Sequence, residues 1–154
     1  MKRNDNMKTT NIQYQTITTL NIHLLDNVLA EVFDYPIDPT YVANFLSSPI
    51  HHLVVAMNDT GEIIGFVTFV DLYHPDKATQ VFVNELSVHE DYQRQGIGTA
   101  LMNHVFQYAT DHAYYVWVAT EMENEDADTF YQKLTPDSRQ DSYFYDWKIK
   151  KDRS

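Results

Sequence analysis

Eight consecutive residues, Gln93-Arg94-Gln95-Gly96-Ile97-Gly98-Thr99-Ala100, carry the strongest chemical signal in the chain. Two of its four glycines fall here, one residue apart. The stretch sits between a β-like run, Val81 to Val88, and a helix-like run that starts near Ile97. A strand, a tight glycine turn and a helix start bring the backbone N–H groups of the turn and the unpaired donors of the first helical turn toward one point. Glycine lets the backbone close on an anion, where a side chain would hold it off. The chemistry implied is the grip of a phosphate group. A second candidate is Glu85, a carboxylate that interrupts the apolar strand just ahead of this turn.

The elements that must position these residues follow from periodicity. Asn11 to Ile17 reads as a first strand, and Thr19 to Phe33 carries apolar residues at helical spacing. Asp34-Tyr35-Pro36-Ile37-Asp38-Pro39 breaks that helix, and Pro39 suits the first turn of a short one ending near Ser47-Ser48-Pro49. Leu53 to Met57 and Glu62 to Val70 read as a β-hairpin, because Asn58-Asp59-Thr60-Gly61 supplies side-chain acceptors and a residue free to take positive φ. Gln80 to Val88 is a longer central strand. Ile97 to Asp111 is a helix with Ile97, Leu101, Val105 and Tyr108 on one face. Tyr114 to Thr120 reads as a buried strand, Asp126 to Leu134 as a short helix, and Ser142 to Ile149 as a final strand with Tyr143, Tyr145, Trp147 and Ile149 on one face. The order β-α-α-β-β-β-α-β-α-β predicts an α/β fold with a mixed, mostly antiparallel sheet and a right-handed βαβ unit around the glycine turn. A ligand is expected at the carboxyl ends of those strands.

Composition limits the alternatives. At 154 residues, 44% hydrophobic and 21% charged, the chain has material for one domain with a proper core, placed at 11–150, behind a flexible N-terminus of residues 1–10. It has no cysteine, hence no thiolate nucleophile or metal site, and this suits a cytoplasmic setting. The seven histidines show no ligand spacing, so no metal is expected. No apolar run reaches the roughly 18 residues of a membrane span. A net charge of −11 argues against nucleic acid or an anionic membrane as partner, and favours solubility or a cationic partner.

The residues Gln93, Gly96 and Gly98 resemble the signature of the GNAT superfamily of acetyl-CoA-dependent N-acetyltransferases. Asn124, Ala127 and Phe130-Tyr131-Gln132-Lys133-Leu134 resemble that family's second marker, in the right order and at the right distance. A narrower resemblance, over about Val28 to Leu134, is to type I aminoglycoside 3-N-acetyltransferases, with an acidic residue in the central strand, an Arg-Gln-Gly-Ile turn and an acidic stretch after the next strand. Leu134-Thr135-Pro136 stands where the family often has Leu-Gly-Phe, so the turn after the last helix must differ.

The resemblance implies roles for named residues. The pyrophosphate of acetyl-CoA falls to the amides of Arg94, Gln95, Gly96, Gly98 and Thr99, with Arg94 and the helix N-terminus supplying positive charge. The pantetheine arm pairs with Leu86-Ser87-Val88 as an added strand would, and an amide near Leu86 or Ser87 stabilises the oxyanion. Amines are protonated at neutral pH, so a base must take a proton; Glu85 is the first candidate and Glu121 the second. Tyr131 matches the family's acid for the leaving thiolate, although a tyrosine at helical spacing also serves as a core aromatic. Asn124 holds the cofactor arm, caps the next helix, or does both. Asp34, Asp38, Glu121, Glu123 and Asp126 are candidates for receiving a cationic acceptor, or are solvated carboxylates at a helix start.

The implied activity is acetyl transfer to a primary amine of a small cationic acceptor by direct attack in a ternary complex. An aminoglycoside modified at its 3-amino group, which would confer antibiotic resistance, is the first acceptor class. A polyamine, a metabolite amine or a protein N-terminus is the alternative. A CoA-binding regulatory module without turnover is the alternative of another class. The aromatic final strand offers a surface for a homodimer.

Overall fold

The computed structural model describes residues 11–150, so the segment 1–10 lies outside the described residues. The chain divides into two compact units, Met1–Ala119 and Thr120–Ser154.

The first unit is a five-stranded sheet in the order β1 (Gln13–Thr16), β2 (His51–Met57), β3 (Ile63–Leu72), β4 (Gln80–Val88) and β5 (Tyr115–Val118). All neighbours are antiparallel except β4 and β5, which are parallel. The connection between those two is α2 (Ile97–His112), and α1 (Pro39–Ser47) precedes β2. The hairpin between β2 and β3 closes as its residues dictate: Asn58 Oδ1 accepts from the amides of Thr60 and Glu62, and Gly61 takes φ 78°. Unbroken apolar runs in β2 and β3 mean that both faces are covered. One face packs on Leu101, Met102 and Val105 of α2, and the other gathers Ile17, Leu25, Val32, Leu53, Val55 and Phe66 under α1 and the loop before it.

Three expectations are corrected. The helix expected over Thr19 to Phe33 is a single 3-10 turn, Ile22–Asp26, followed by irregular chain. The start of β3 captures this backbone: Ile63 donates to the Asn27 carbonyl, Leu29 donates to that of Ile63, and Glu31 turns to φ 71°. Those bonds replace the helical ladder. The strand expected to be buried at Tyr114 to Thr120 is the short outer strand β5, with Tyr115 47% and Trp117 37% exposed. The final strand expected at Ser142 to Ile149 makes no ladder, and Tyr143, Tyr145, Trp147 and Ile149 are all exposed.

The second unit contains α3 (Glu125–Gln132), and the chain beyond it is tied back by Arg139, whose Nε and Nη2 each reach the Asp128 carboxylate at 2.9 Å. Thr135 takes φ 55° in the turn after α3, where the family's glycine is replaced.

One irregularity re-aims the side chains of β4. The β3–β4 register pairs Thr68 with Glu85 and Phe69 with Val83, which leaves Asn84 as a bulge residue without a partner. Strict alternation would put Phe82 and Glu85 on opposite faces. The bulge puts both on the α1 face, since their partners Val70 and Thr68 are two residues apart.

Candidate donor and acceptor site

The glycine turn is held at the end of β4 by its own side chains. Gln93 Nε2 donates to the Val88 carbonyl at 2.9 Å, and His89 Nδ1 accepts from the Asp91 amide. Arg94 (φ 60°) and Gly96 (φ 81°) are both left-handed, with Gln95 between them not so, an alternation that turns successive amides to one side. The α2 ladder begins with Ala100 N–H donating to the Gly96 carbonyl, and no side chain caps the helix. The first-turn amides, including those of Gly98 and Thr99, are therefore free for an anion. A Cβ built on Gly96 would meet nothing within 4 Å. The cradle is open, and Arg94, Gln95, Gly96, Gly98 and Thr99 fit a diphosphate.

Upstream, β4 pairs with β5 only from Gln80 to Val83. From Asn84 to Val88 its outer edge has no strand partner among the described residues. That open edge leads from Glu85 through Leu86, Ser87 and Val88 to the glycine turn, and an extended ligand arm can add to it. Its other edge is fixed closely: a Cβ on Gly65 of β3 would lie 2.9 Å from the Ser87 carbonyl oxygen. Ser87 Oγ donates to the Val32 carbonyl at 2.8 Å, which ties the loop before α1 down onto β4. The same loop carries Asp34.

Glu85 keeps contact with solvent, yet partial burial raises its carboxyl pKa, and the charge of Asp34 raises it further. A carboxylate so placed is a better proton acceptor than a free one. Asp38 caps α1, its Oδ1 accepting from the amides of Thr40 and Tyr41 at 2.8 and 3.3 Å. In the second unit Asn124 caps α3, with Oδ1 3.1 Å from the Ala127 amide. Tyr131 is half-buried on α3 against the edge of Phe130, and burial raises its phenol pKa. Glu121, Glu123 and Asp126 are exposed at the start of the same unit. The structure thus brings Glu85, Asp34 and the Leu86–Val88 edge together in one unit, and Tyr131 and Asn124 onto one helix of the other.

Sequence reasoning missed a cavity of about 200 Å³ on the α1 face, lined by Phe45, His51, Thr68, Val70, Phe82 and Asn84. Thr68 lies directly across from Glu85, and the cavity extends along β4 away from the glycine turn. Its position depends on the bulge at Asn84, for which the alternation of residue types gives no signal. Among the described residues no three histidine or acidic side chains come together to hold a metal ion.

Residues 21–135 match the acetyltransferase (GNAT) family. No curated protein is significantly similar in sequence. Among solved structures, the aminoglycoside acetyltransferase meta-AAC0020 from an uncultured soil metagenomic sample, in complex with sisomicin, superposes with a TM-score of 0.77 at 19% identity, over 90% of this chain and 97% of that one. AAC(6')-Iy in complex with the bisubstrate analogue CoA-S-monomethyl-acetylneamine gives 0.73 at 18% identity, over 90% and 99%. The ribosomal-protein-alanine N-acetyltransferase from Brucella melitensis biovar Abortus 2308 gives 0.69 at 22%, over 89% and 100%. With a family match across most of its length and a glycine turn shaped for a diphosphate, the chain belongs to the acetyltransferase (GNAT) family and is an acetyl-CoA-dependent N-acetyltransferase.

Proposed function

We propose that this enzyme acetylates a primary amine of an aminoglycoside-like cationic acceptor, by direct attack in a ternary complex. One observation carries the reading: Glu85, with its raised carboxyl pKa, stands beside Asp34 at the head of the open β4 edge. Acetyl-CoA supplies the acetyl thioester when bound. Arg94, Gln95, Gly96, Gly98 and Thr99 hold its diphosphate, Leu86 to Val88 align its arm, and Asn124 steadies that arm from α3. Glu85 takes the proton from the attacking amine, with Glu121 the second candidate. An amide at Leu86 or Ser87 donates to the carbonyl oxygen as the nitrogen–carbon bond forms. As the carbon–sulfur bond breaks, Tyr131 gives its proton to the sulfur; a phenol whose pKa is raised stays protonated for that task. Asp34, Asp38, Glu121, Glu123 and Asp126 offer carboxylates to the acceptor's other ammonium groups. Residues 11–150 act in this scheme as one domain.

The similarity to two aminoglycoside acetyltransferase folds supports the acceptor class. The resemblance of the sequence favours the 3-amino group, whereas AAC(6')-Iy is named for another position; analysis of the acetylated product decides between them. The likeness to a ribosomal-protein-alanine N-acetyltransferase favours a protein N-terminus as the second reading. The five exposed large residues at 143, 144, 145, 147 and 149 support a homodimer with that segment at its interface, which sedimentation tests.

The central test is thiol release from acetyl-CoA across aminoglycosides, polyamines and N-terminal peptides. Aminoglycosides should turn over fastest. Glu85→Gln should lower kcat by about 10²- to 10⁴-fold, the usual worth of a general base. Turnover on peptides alone would move the assignment to the second reading. Acetyl-CoA binding without turnover on any amine would leave a regulatory module.

A further inference from the structure

We propose that Ser87 is a positioning residue: its side-chain hydroxyl sets where Asp34 stands relative to Glu85, and so couples the strand edge that takes the donor to the loop that carries Asp34. The proposal rests on Glu85 as the base and names the group that adjusts it.

The loop runs over residues 27–38, between the 3-10 turn and α1. Its first half is pinned to β3: Ile63 N–H donates to the Asn27 carbonyl at 2.8 Å, and Leu29 N–H donates to the Ile63 carbonyl at 3.0 Å. Its far end is pinned by Asp38, which caps α1. Between these points residues 33 to 37 make no backbone–backbone hydrogen bond among the described residues. The tie that precedes this span is the one from Ser87 Oγ to the Val32 carbonyl, 2.8 Å long and bridging 55 positions of sequence. Asp34 lies two residues further on.

The other contacts that hold this part of the loop are apolar. Val32 is buried in the core of this face, and the Phe33 ring stacks on Phe66 with 3.9 Å between centroids and 10° between planes. Phe66 is the β3 partner of Ser87. Apolar contact has no preferred direction, whereas a hydrogen bond fixes both distance and angle. Packing therefore keeps the loop on the sheet, and the Ser87 hydroxyl decides its place along β4.

The spans match. Ser87 and Glu85 are two residues apart on one strand, hence on one face and about 7 Å from each other at ~3.3 Å per residue. Val32 to Asp34 is the same step, with a reach of at most about 7 Å. The charge of Asp34 is felt at Glu85, where it raises the carboxyl pKa, second to burial. Thr68, which pairs with Glu85 from β3, does not titrate, and among the described residues Asp34 is the charged group that acts on Glu85. Ser87 itself is closely held, because its carbonyl oxygen lies so near Gly65 that an added Cβ there would come within 2.9 Å. One side chain thus references the Asp34 loop to the strand along which the donor is proposed to lie.

The test is a double-mutant cycle of Ser87→Ala and Asp34→Asn, with Ser87→Thr as the variant that keeps the hydroxyl. The main readout is the titration of the Glu85 carboxyl followed by NMR on protein carrying isotope-labelled glutamate, without substrates, its signal assigned with Glu85→Gln. The acid limb of kcat/KM with sisomicin is measured beside it. Asp34 raises the Glu85 pKa, so letting it slip away in Ser87→Ala should move the midpoint to lower pH. The move should be smaller in the Asp34→Asn background, because residues that act through one another are not additive. Ser87→Thr should titrate as the wild type does. On the pH plateau, kcat/KM with sisomicin should fall about 2- to 10-fold in Ser87→Ala, the net worth of one hydrogen bond. A lowered Tm with an unmoved midpoint would overturn the proposal in favour of a purely structural bond. Equal moves in the two backgrounds would overturn it as well, since Ser87 would then act without Asp34. A midpoint that moves while the acid limb stays would uphold the role of Ser87 and remove Glu85 as the base.

Discussion

Gly61 and Gly96 form a matched pair for testing the donor grip. Both are left-handed, with φ 78° and 81°, and a Cβ on either would meet nothing within 4 Å. Alanine at either site therefore costs the strain of a left-handed L-residue, ~1–2 kcal/mol, with no steric term. For a domain of this size each kcal/mol lowers Tm by about 2–4 °C, so both variants should lose roughly 2–8 °C. They differ in what surrounds them. Gly61 closes a hairpin between β2 and β3; Gly96 ends the turn whose amides are proposed to hold the diphosphate. In Gly96→Ala the methyl occupies the open space that the anion must enter. Losing one charge-assisted hydrogen bond is worth ~1.5–3 kcal/mol, or about 10- to 100-fold in Kd. Calorimetric titration with CoA should thus show wild-type affinity in Gly61→Ala and a drop of that order in Gly96→Ala, at similar Tm. Equal CoA affinity in the two variants would refute the reasoning, because the strain would then be all that the glycine relieves.

Replacing Asp34 by Asn removes one of the two causes that raise the Glu85 pKa. The base acts deprotonated, so the acid limb of the kcat/KM profile follows its pKa and should move to lower pH, by less than the whole elevation because burial is the larger cause; an unmoved limb would detach Glu85 from the proton transfer. Gly65→Ala drives a Cβ to 2.9 Å from the Ser87 carbonyl, a backbone atom that cannot swing away. Overpacking of this kind costs ~1–3 kcal/mol, and the variant should lose stability and raise KM for acetyl-CoA together. Tyr108 donates to the buried Asp71 carboxylate at 2.7 Å, beside His52 at 3.2 Å, and its phenol pKa is raised, first by burial and then by that bond and charge. A tyrosine whose folded pKa lies above the unfolded value of about 10 contributes stability that is complete below that pH and lost as pH climbs through the folded value. Tyr108→Phe should cost ~1.5–3 kcal/mol near neutral pH in a denaturant titration and flatten the alkaline decline.

What the sequence showed was governed by short-range chemistry. Gly96 beside a strand end, Pro39 opening a helix, and Asn58 with Gly61 closing a hairpin each act within four residues, and all three stand as expected. The failures were long-range. Leu20, Leu24 and Val28 have helical spacing, but backbone bonds from Asn27 and Leu29 to Ile63, more than thirty residues away, take the groups that a helix would use. The alternation of Tyr143, Tyr145 and Trp147 fits a strand, yet a strand needs a partner edge that no local pattern reports. In the site, Glu85 stood out as a charge in an apolar run. Its neighbours Phe82, Thr68 and Asn84 did not, because a bulge, and not their spacing, brings them to its face.

The net charge of −11 raises a physical question that the layout of β4 answers. Under the proposed function an acidic chain holds a polyanionic donor and a cationic acceptor at adjoining places. A patch of lysine and arginine would serve the first and repel the second. Here the proposed diphosphate grip consists almost wholly of neutral amides, with Arg94 as the one cation in the turn. Helix-end amides act over about one turn, so their pull on the anion hardly reaches the acceptor side. Glu85 lies three residues before the end of β4, roughly 10 Å along the strand at about 3.3 Å per residue, and the glycine turn begins only after that. That span is about one Debye length at physiological salt, so the charge of Glu85, the proposed base, is partly screened from the proposed diphosphate site. The acidity of the chain is therefore compatible with a nucleotide donor, and under the proposed function it would attract a cationic acceptor.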